Sequence, residues 1–77
     1  MTQNGTEHAG AMSVVVNGVP TTVARGATVS EVVQLLTDST AGCAVARNGD
    51  VVPRSAWATE VLSDGDRLEV LTAVQGG

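Results

Sequence analysis

The side chains able to do chemistry in this chain are few. It holds one cysteine, Cys43, one histidine, His8, no lysine and no tyrosine, and its four Asp and four Glu are scattered. An enzyme needs a nucleophile, a base or a metal held in mutual reach, and no such set stands together here. Cys43 opens a run of alanine and valine with no base near it in sequence. A thiol in that setting behaves as a small buried hydrophobe rather than as a nucleophile. His8 has no second ligand beside it and reads as solvated. Asp64 and Asp66 flank Gly65, a pattern of turn chemistry rather than of a metal site or an acid–base pair. No glycine-rich loop opens a helix to cradle a phosphate. The chain is expected to be no enzyme on its own, and to bind no metal and no resident cofactor.

The far end offers another kind of chemistry. It reads Val74-Gln75-Gly76-Gly77. With glycine at about 7% of residues, a terminal pair arises by chance in roughly one chain in two hundred, so this one calls for a reason. A terminal carboxylate is ionised at neutral pH and is a poor electrophile until an enzyme converts one oxygen into a leaving group, for example by adenylation. Two residues without Cβ make the slimmest possible chain and accept any backbone conformation. Residues 73–77, fully extended, reach at most about 18 Å, enough to enter a cleft while the folded part docks outside it.

The elements that would carry such an arm follow from composition and pattern. Fourteen Val, ten Ala, five Leu and one Trp, with no Ile, Phe or Tyr, favour a small β-rich domain with a thin aliphatic core. Eight acidic residues against four Arg give a net charge of −4. That balance excludes a nucleic-acid footprint and disfavours an anionic membrane surface. No apolar run approaches a membrane span, and the N-terminus does not read as a secretory signal. A lone cysteine cannot form an internal disulfide, which points to the cytoplasm.

Residues 1–11 are small and polar and are expected to be a disordered extension. A strand is expected over 12–16, with Asn17-Gly18 as a two-residue turn and a return strand over 19–23, where Pro20 marks a sheet edge. Thr28 and Glu31 form a capping box. Val29, Val32, Val33 and Leu36 then place one apolar stripe on a helix, widened by Leu35. A third strand is expected over 43–47, a second hairpin at Asn48-Gly49, and a fourth strand over 50–52. A short connection around Trp57 and a last strand over 68–74 complete an order β-β-α-β-β-β. The class is α+β: a mixed sheet of four to five strands with one main helix across one face. The folded domain is expected over 12–72, with 73–77 as a flexible arm. Trp57 has two readings, core filler or exposed docking anchor. Arg54 could pair with a partner's carboxylate or with Glu60. The docking surface is expected beside Thr72–Val74.

Taken together, these stretches resemble the ThiS family. The resemblance covers residues 12–77. It rests on Asn17-Gly18, on Ala44-Val45-Ala46-Arg47-Asn48-Gly49, and on Val52-Pro53-Arg54-Ser55-Ala56-Trp57. It rests also on Leu62-Ser63-Asp64-Gly65-Asp66-Arg67-Leu68-Glu69-Val70 and on the ending Thr72-Ala73-Val74-Gln75-Gly76-Gly77. The resemblance implies a ubiquitin-like β-grasp fold and a sulfur carrier of thiamine biosynthesis. A ThiF-like enzyme would adenylate the Gly77 carboxylate with ATP, and sulfur from a persulfide-bearing protein would replace AMP to leave a thiocarboxylate. A ThiG-like thiazole synthase would then accept the sulfur. Val74, Gln75 and Gly76 would serve as the tail that enters partner sites. Two other readings stay open at this point: the small subunit of molybdopterin synthase, with the same terminal chemistry, and a non-covalent β-grasp interaction module.

Overall fold

The computed structural model describes residues 10–38 and 41–72. Strands β1 (Ala11–Val16) and β2 (Val19–Ala24) lead to helix α1 (Val29–Leu36). Strands β3 (Ala44–Arg47) and β4 (Asp50–Val52), a 3-10 turn (Arg54–Ala56) and strand β5 (Arg67–Leu71) follow. The strands form one mixed sheet in the order β2-β1-β5-β3-β4. The last strand therefore sits in the middle, parallel to β1 and antiparallel to β3. Pro20 lies on β2, an outer strand, where its missing N–H costs no ladder bond. The first strand begins at Ala11, opposite Ala24, one residue ahead of the expected start. The third begins at Ala44, one residue later than expected. The expected extensions at both ends, residues 1–9 and 73–77, lie outside the described residues, His8 and the Gly76-Gly77 pair among them.

Both hairpins use the backbone geometry that Asn-Gly permits. Asn17 and Gly18 have φ of 51° and 83°, and Asn48 and Gly49 have 50° and 89°, the paired positive values of a type I′ turn. The alternation of each strand then sends one set of side chains under the helix. Met12, Val14, Val16, Val45, Leu68 and Val70 meet Val29, Val32 and Val33 in one core.

The start of α1 is fully satisfied. The Thr28 N–H donates to Glu31 Oε1 at 3.0 Å and the Glu31 N–H to Thr28 Oγ1 at 3.3 Å. Between them, the Val29 N–H donates to the Glu60 carbonyl and the Ser30 N–H to the Trp57 carbonyl, each at 3.0 Å. The four N–H groups that a helix leaves without partners thus all find one, two of them from the loop after the 3-10 turn. That loop is so tied to the helix that Thr28 and Val61 form an isolated β-bridge.

The apolar stripe ends sooner than its period suggests. Val29, Val32 and Val33 are buried, but Leu35 and Leu36 are 66% and 48% exposed. Leu36 shares the stripe of Val29 by angle, so its exposure is a matter of length. The helix is only eight residues, and its buried side chains, Val29, Val32 and Val33, all fall in its first five positions. Leu35 instead lines a shallow groove beside the edge strand with Thr22, Val23 and Ala24.

Trp57 belongs to the core. It is 5% exposed, and its indole N–H donates to the Val52 carbonyl at 2.9 Å. The Arg54 guanidinium lies 5.0 Å from the ring centroid, a cation–π contact that covers the ring. The exposed-anchor reading of Trp57 is thereby corrected. With no other aromatic residue, the indole fills the space between the connection and β4, and its N–H finds the partner a buried indole requires. Substitution Trp57→Ala is expected to lower stability by about 3–5 kcal/mol, read as a shift in the urea unfolding midpoint.

Candidate functional site

The site residues expected at the end of the chain, Val74, Gln75, Gly76 and Gly77, lie outside the described residues. What the structure gives is the platform from which they leave. Strand β5 carries the chain to Leu71 and Thr72. Leu68 and Val70 point into the core, while Arg67, Glu69 and Leu71 point to the face opposite the helix. Leu71 pairs with Ala44 and Glu69 with Ala46 on β3, and Ala46 pairs with Val51 on β4. Register thus sets Leu71, 69% exposed, and Val51, 78% exposed, on one open face beside the exit of the chain. Next to it lies a depression of about 430 Å³ lined by Val15, Asn17, Gly18, Arg67, Leu68, Glu69 and Leu71.

Arg54, the other expected docking residue, is exposed and lies over Trp57. The Glu60 carboxylate considered for it receives Arg47 instead, Nη1 to Oε2 at 2.8 Å.

This Arg47 contact is part of a charged cluster that sequence reasoning did not find. Asp66 is the buried member, 8% exposed. Its Oδ2 accepts the Ser63 N–H at 2.7 Å and both Nε and Nη2 of Arg47 at 2.9 and 2.7 Å. Its Oδ1 accepts Asn48 Nδ2 at 3.0 Å. Burial alone would raise the carboxyl's pKa. The Ser63 N–H, Asn48 and Arg47 together outweigh that and hold it below the ordinary carboxylate value. Arg47 is pushed upward, chiefly by its bond to Glu60, against the opposing effect of burial. The signal was present in the turn Asp64-Gly65-Asp66, but the guanidinium it meets lies 19 residues away.

The cluster ties the second hairpin and the loop before β5 together. Arg47 pairs with Leu68 and Ala44 with Leu71, so the cluster and the exit of the chain stand at opposite ends of β3, roughly 10 Å apart. Asp64 is likewise structural: its Oδ1 accepts the Ser13 N–H at 2.8 Å, beside the Gly65 N–H on the Ser13 carbonyl at 2.7 Å. Cys43 is half-buried and packs against the core. Among the described residues no three His, Cys, Asp or Glu stand close enough to hold a metal ion, and no helix is long and apolar enough to cross a membrane.

With this geometry in view, the comparisons with known proteins agree. The model of the ThiS family matches residues 14–77. The chain is 35% identical over 66 residues to the sulfur carrier protein ThiS of Escherichia coli (strain K12), covering 86% of this chain and 100% of that one. It is 33% identical over 66 residues to a thiazole synthase of Paramagnetospirillum magneticum, covering 86% of this chain but 20% of that protein. Among solved structures it is similar to the crystal structure of the thiamine biosynthesis protein ThiS from Geobacter metallireducens. The TM-score there is 0.70 at 36% identity, with 86% of this chain and 100% of that one covered. The mixed five-strand sheet with one helix is that β-grasp arrangement.

The Asp66 cluster generates a pH dependence. A carboxyl whose folded pKa lies below its unfolded value contributes stability that is complete above the unfolded value and is lost as pH falls through the folded one. The ordinary value is 3.8, so the contribution is intact at neutral pH and fades only below that point. Urea unfolding of the wild type and of Asp66→Asn is expected to differ most near neutral pH. The gap should narrow as pH falls below 3.8.

Proposed function

The chain belongs to the ThiS family, and we propose that it works through its terminal carboxylate. It is a sulfur carrier protein of thiamine biosynthesis. The observation that carries this is the extent of the match: the family pattern runs from Val14 to Gly77, and the similarity spans the whole of the bacterial carrier.

The chemistry follows from the terminus. An adenylating enzyme of the ThiF kind joins the Gly77 carboxylate to AMP from ATP, releasing pyrophosphate. The carbonyl carbon now carries a good leaving group. The outer sulfur of a persulfide-bearing protein attacks it and expels AMP. Cleavage of the remaining S–S bond by a thiol leaves the thiocarboxylate at Gly77, which a thiazole synthase accepts. Val74, Gln75 and Gly76 form the thin tail that brings this end through a narrow opening. The carrier is a substrate and a handle, and its partners supply the catalysis. The thiazole synthase that contains a stretch similar to this chain over a fifth of its length supports that pairing of carrier and acceptor.

The open face around Leu71 is the surface we assign to docking. It lies at the root of the arm, is exposed, and carries apolar groups beside the charged pair Arg67 and Glu69. Leu71→Ala is expected to weaken binding to the adenylating enzyme and to the synthase by on the order of tenfold. The melting temperature should be nearly unchanged, because the side chain already stands in water. Titration calorimetry and thermal unfolding check the two halves.

Incubation with ATP, the adenylating enzyme and a persulfide donor tests the terminal chemistry. Intact mass should rise by one oxygen-to-sulfur exchange, mapped to the C-terminal peptide. Deleting Gly77, or adding one residue after it, is expected to abolish the gain while the domain stays folded. Normal loading of the extended chain would overturn the assignment of Gly77.

A further inference from the structure

Asn17 serves the first hairpin through its backbone, and that duty needs only a positive φ, which glycine supplies equally well. Its side chain has a separate attachment. Oδ1 accepts the Val70 N–H at 2.8 Å, and Nδ2 donates to the Val70 carbonyl at 3.1 Å. One side-chain amide thus satisfies both backbone groups of a residue 53 positions away.

The position of Val70 explains why this matters. The Asn48 N–H donates to the Arg67 carbonyl, so along β5 residues 67, 69 and 71 direct their backbone groups toward β3. Residues 68 and 70 direct theirs toward β1. The β1 backbone meets Leu68, whose carbonyl accepts the Asn17 N–H at 2.9 Å, and then turns away at Asn17-Gly18. Nothing of the β1 backbone is left for Val70. The Asn17 amide extends the ladder by one more residue, as a peptide group would. Val70 is two residues before Thr72, where the described chain ends.

We infer that Asn17 is a positioning residue for the sulfur-carrying arm: its amide pins the outgoing end of β5 on the side that β1 has vacated, and so fixes where the arm begins. This rests on the reading of Gly77 as the reacting terminus. Without the clamp, the last two residues of β5 would be held by β3 alone, and a strand end held on one side opens locally at little cost. Fraying by two residues would move the root of an arm whose whole reach is about 18 Å. The partner would then have to order that root itself, and the ordering cost appears as weaker productive binding.

The test uses the full chain and three variants. Asn17→Gly keeps the positive φ and deletes the amide. Asn17→Asp keeps an acceptor for the Val70 N–H and removes the donor. Asn48→Gly makes the same glycine change in the other hairpin, removing an amide that holds the start of β5 through Arg67 and Asp66. Amide exchange is followed at Val70, with Val14 as a core reference. KM and kcat are measured with the carrier as substrate of the adenylating enzyme, well below every melting temperature. Asn17→Gly is expected to speed Val70 exchange by about tenfold relative to Val14. It should raise KM for the carrier several-fold while kcat stays within about twofold. Asn17→Asp should recover part of both effects. Asn48→Gly should lower the melting temperature and leave KM unchanged. Unchanged Val70 exchange in Asn17→Gly overturns the clamp whatever the loading result. Faster exchange with unchanged KM, or an equal rise in KM for Asn48→Gly, overturns the positioning role while leaving Gly77 as the carrier. A wild-type chain that takes no sulfur overturns the reading of Gly77 and the arm's part of the inference with it.

Discussion

Among the described residues strand β5 is the last element, yet it lies between β1 and β3, hydrogen-bonded on both sides. The sheet is not continuous until it arrives. Before that, the two hairpins share no ladder, and the valines of the helix have only half a floor. Leu68, fully buried at the start of β5, and Val70, two residues on, close that floor. Insertion of a final strand is a long-range event, and chain entropy opposes it until the contacts form. The structure therefore concentrates polar fastenings along this strand. Asp66 and Asn48 hold its entry, Asn17 holds its exit, and the Val15 N–H bonds the Asp66 carbonyl at 2.8 Å just ahead of it.

This arrangement explains what could be read from the sequence and what could not. Each Asn-Gly pair announces its own hairpin, because a type I′ turn is a local demand on two residues. Thr28 and Glu31 announce the helix start for the same reason. The alternation of Leu68 and Val70 is equally local. The second duties of Asn17 and Asn48 are not, since their amides act on residues 53 and 19 positions away. The union of Arg47, Glu60 and Asp66 required the sheet order, which hydrophobic period does not state. Trp57 stayed between two readings because burial of a single indole depends on what the neighbouring loop leaves open. Leu36 shares the core stripe by angle, which is legible in a sequence, whereas its exposure of 48% depends on what packs against the helix end and is not.

The core is built mainly of valine and leucine, with Met12, Ala27 and one large side chain, Trp57. Polar satisfaction supplements it. The four N–H groups at the start of α1 have partners, and Asp66 receives four donors from three residues. A buried carboxylate left with fewer partners would be a heavy cost; here Arg47 and Asn48 come from one strand and its turn, so the same contacts that neutralise Asp66 also fix the register of β3 against β5.

The proposed function puts the reactive atom at the end of the chain and the recognition surface on the fold. The two requirements conflict, because a terminus is the part of a chain that packing least controls. Making the last strand the central strand reconciles them. Val70, two residues before the described chain ends, is then held from both sides, by its place beside Val45 of β3 and by the Asn17 amide. The same geometry puts Leu71, Glu69 and Arg67 on the open face at the root of the arm. In the docking proposed above, a partner that grips this face thereby fixes the origin of the chain that enters its active site. On the proposed function, that coupling between docking and reach is what the fold contributes to the reaction.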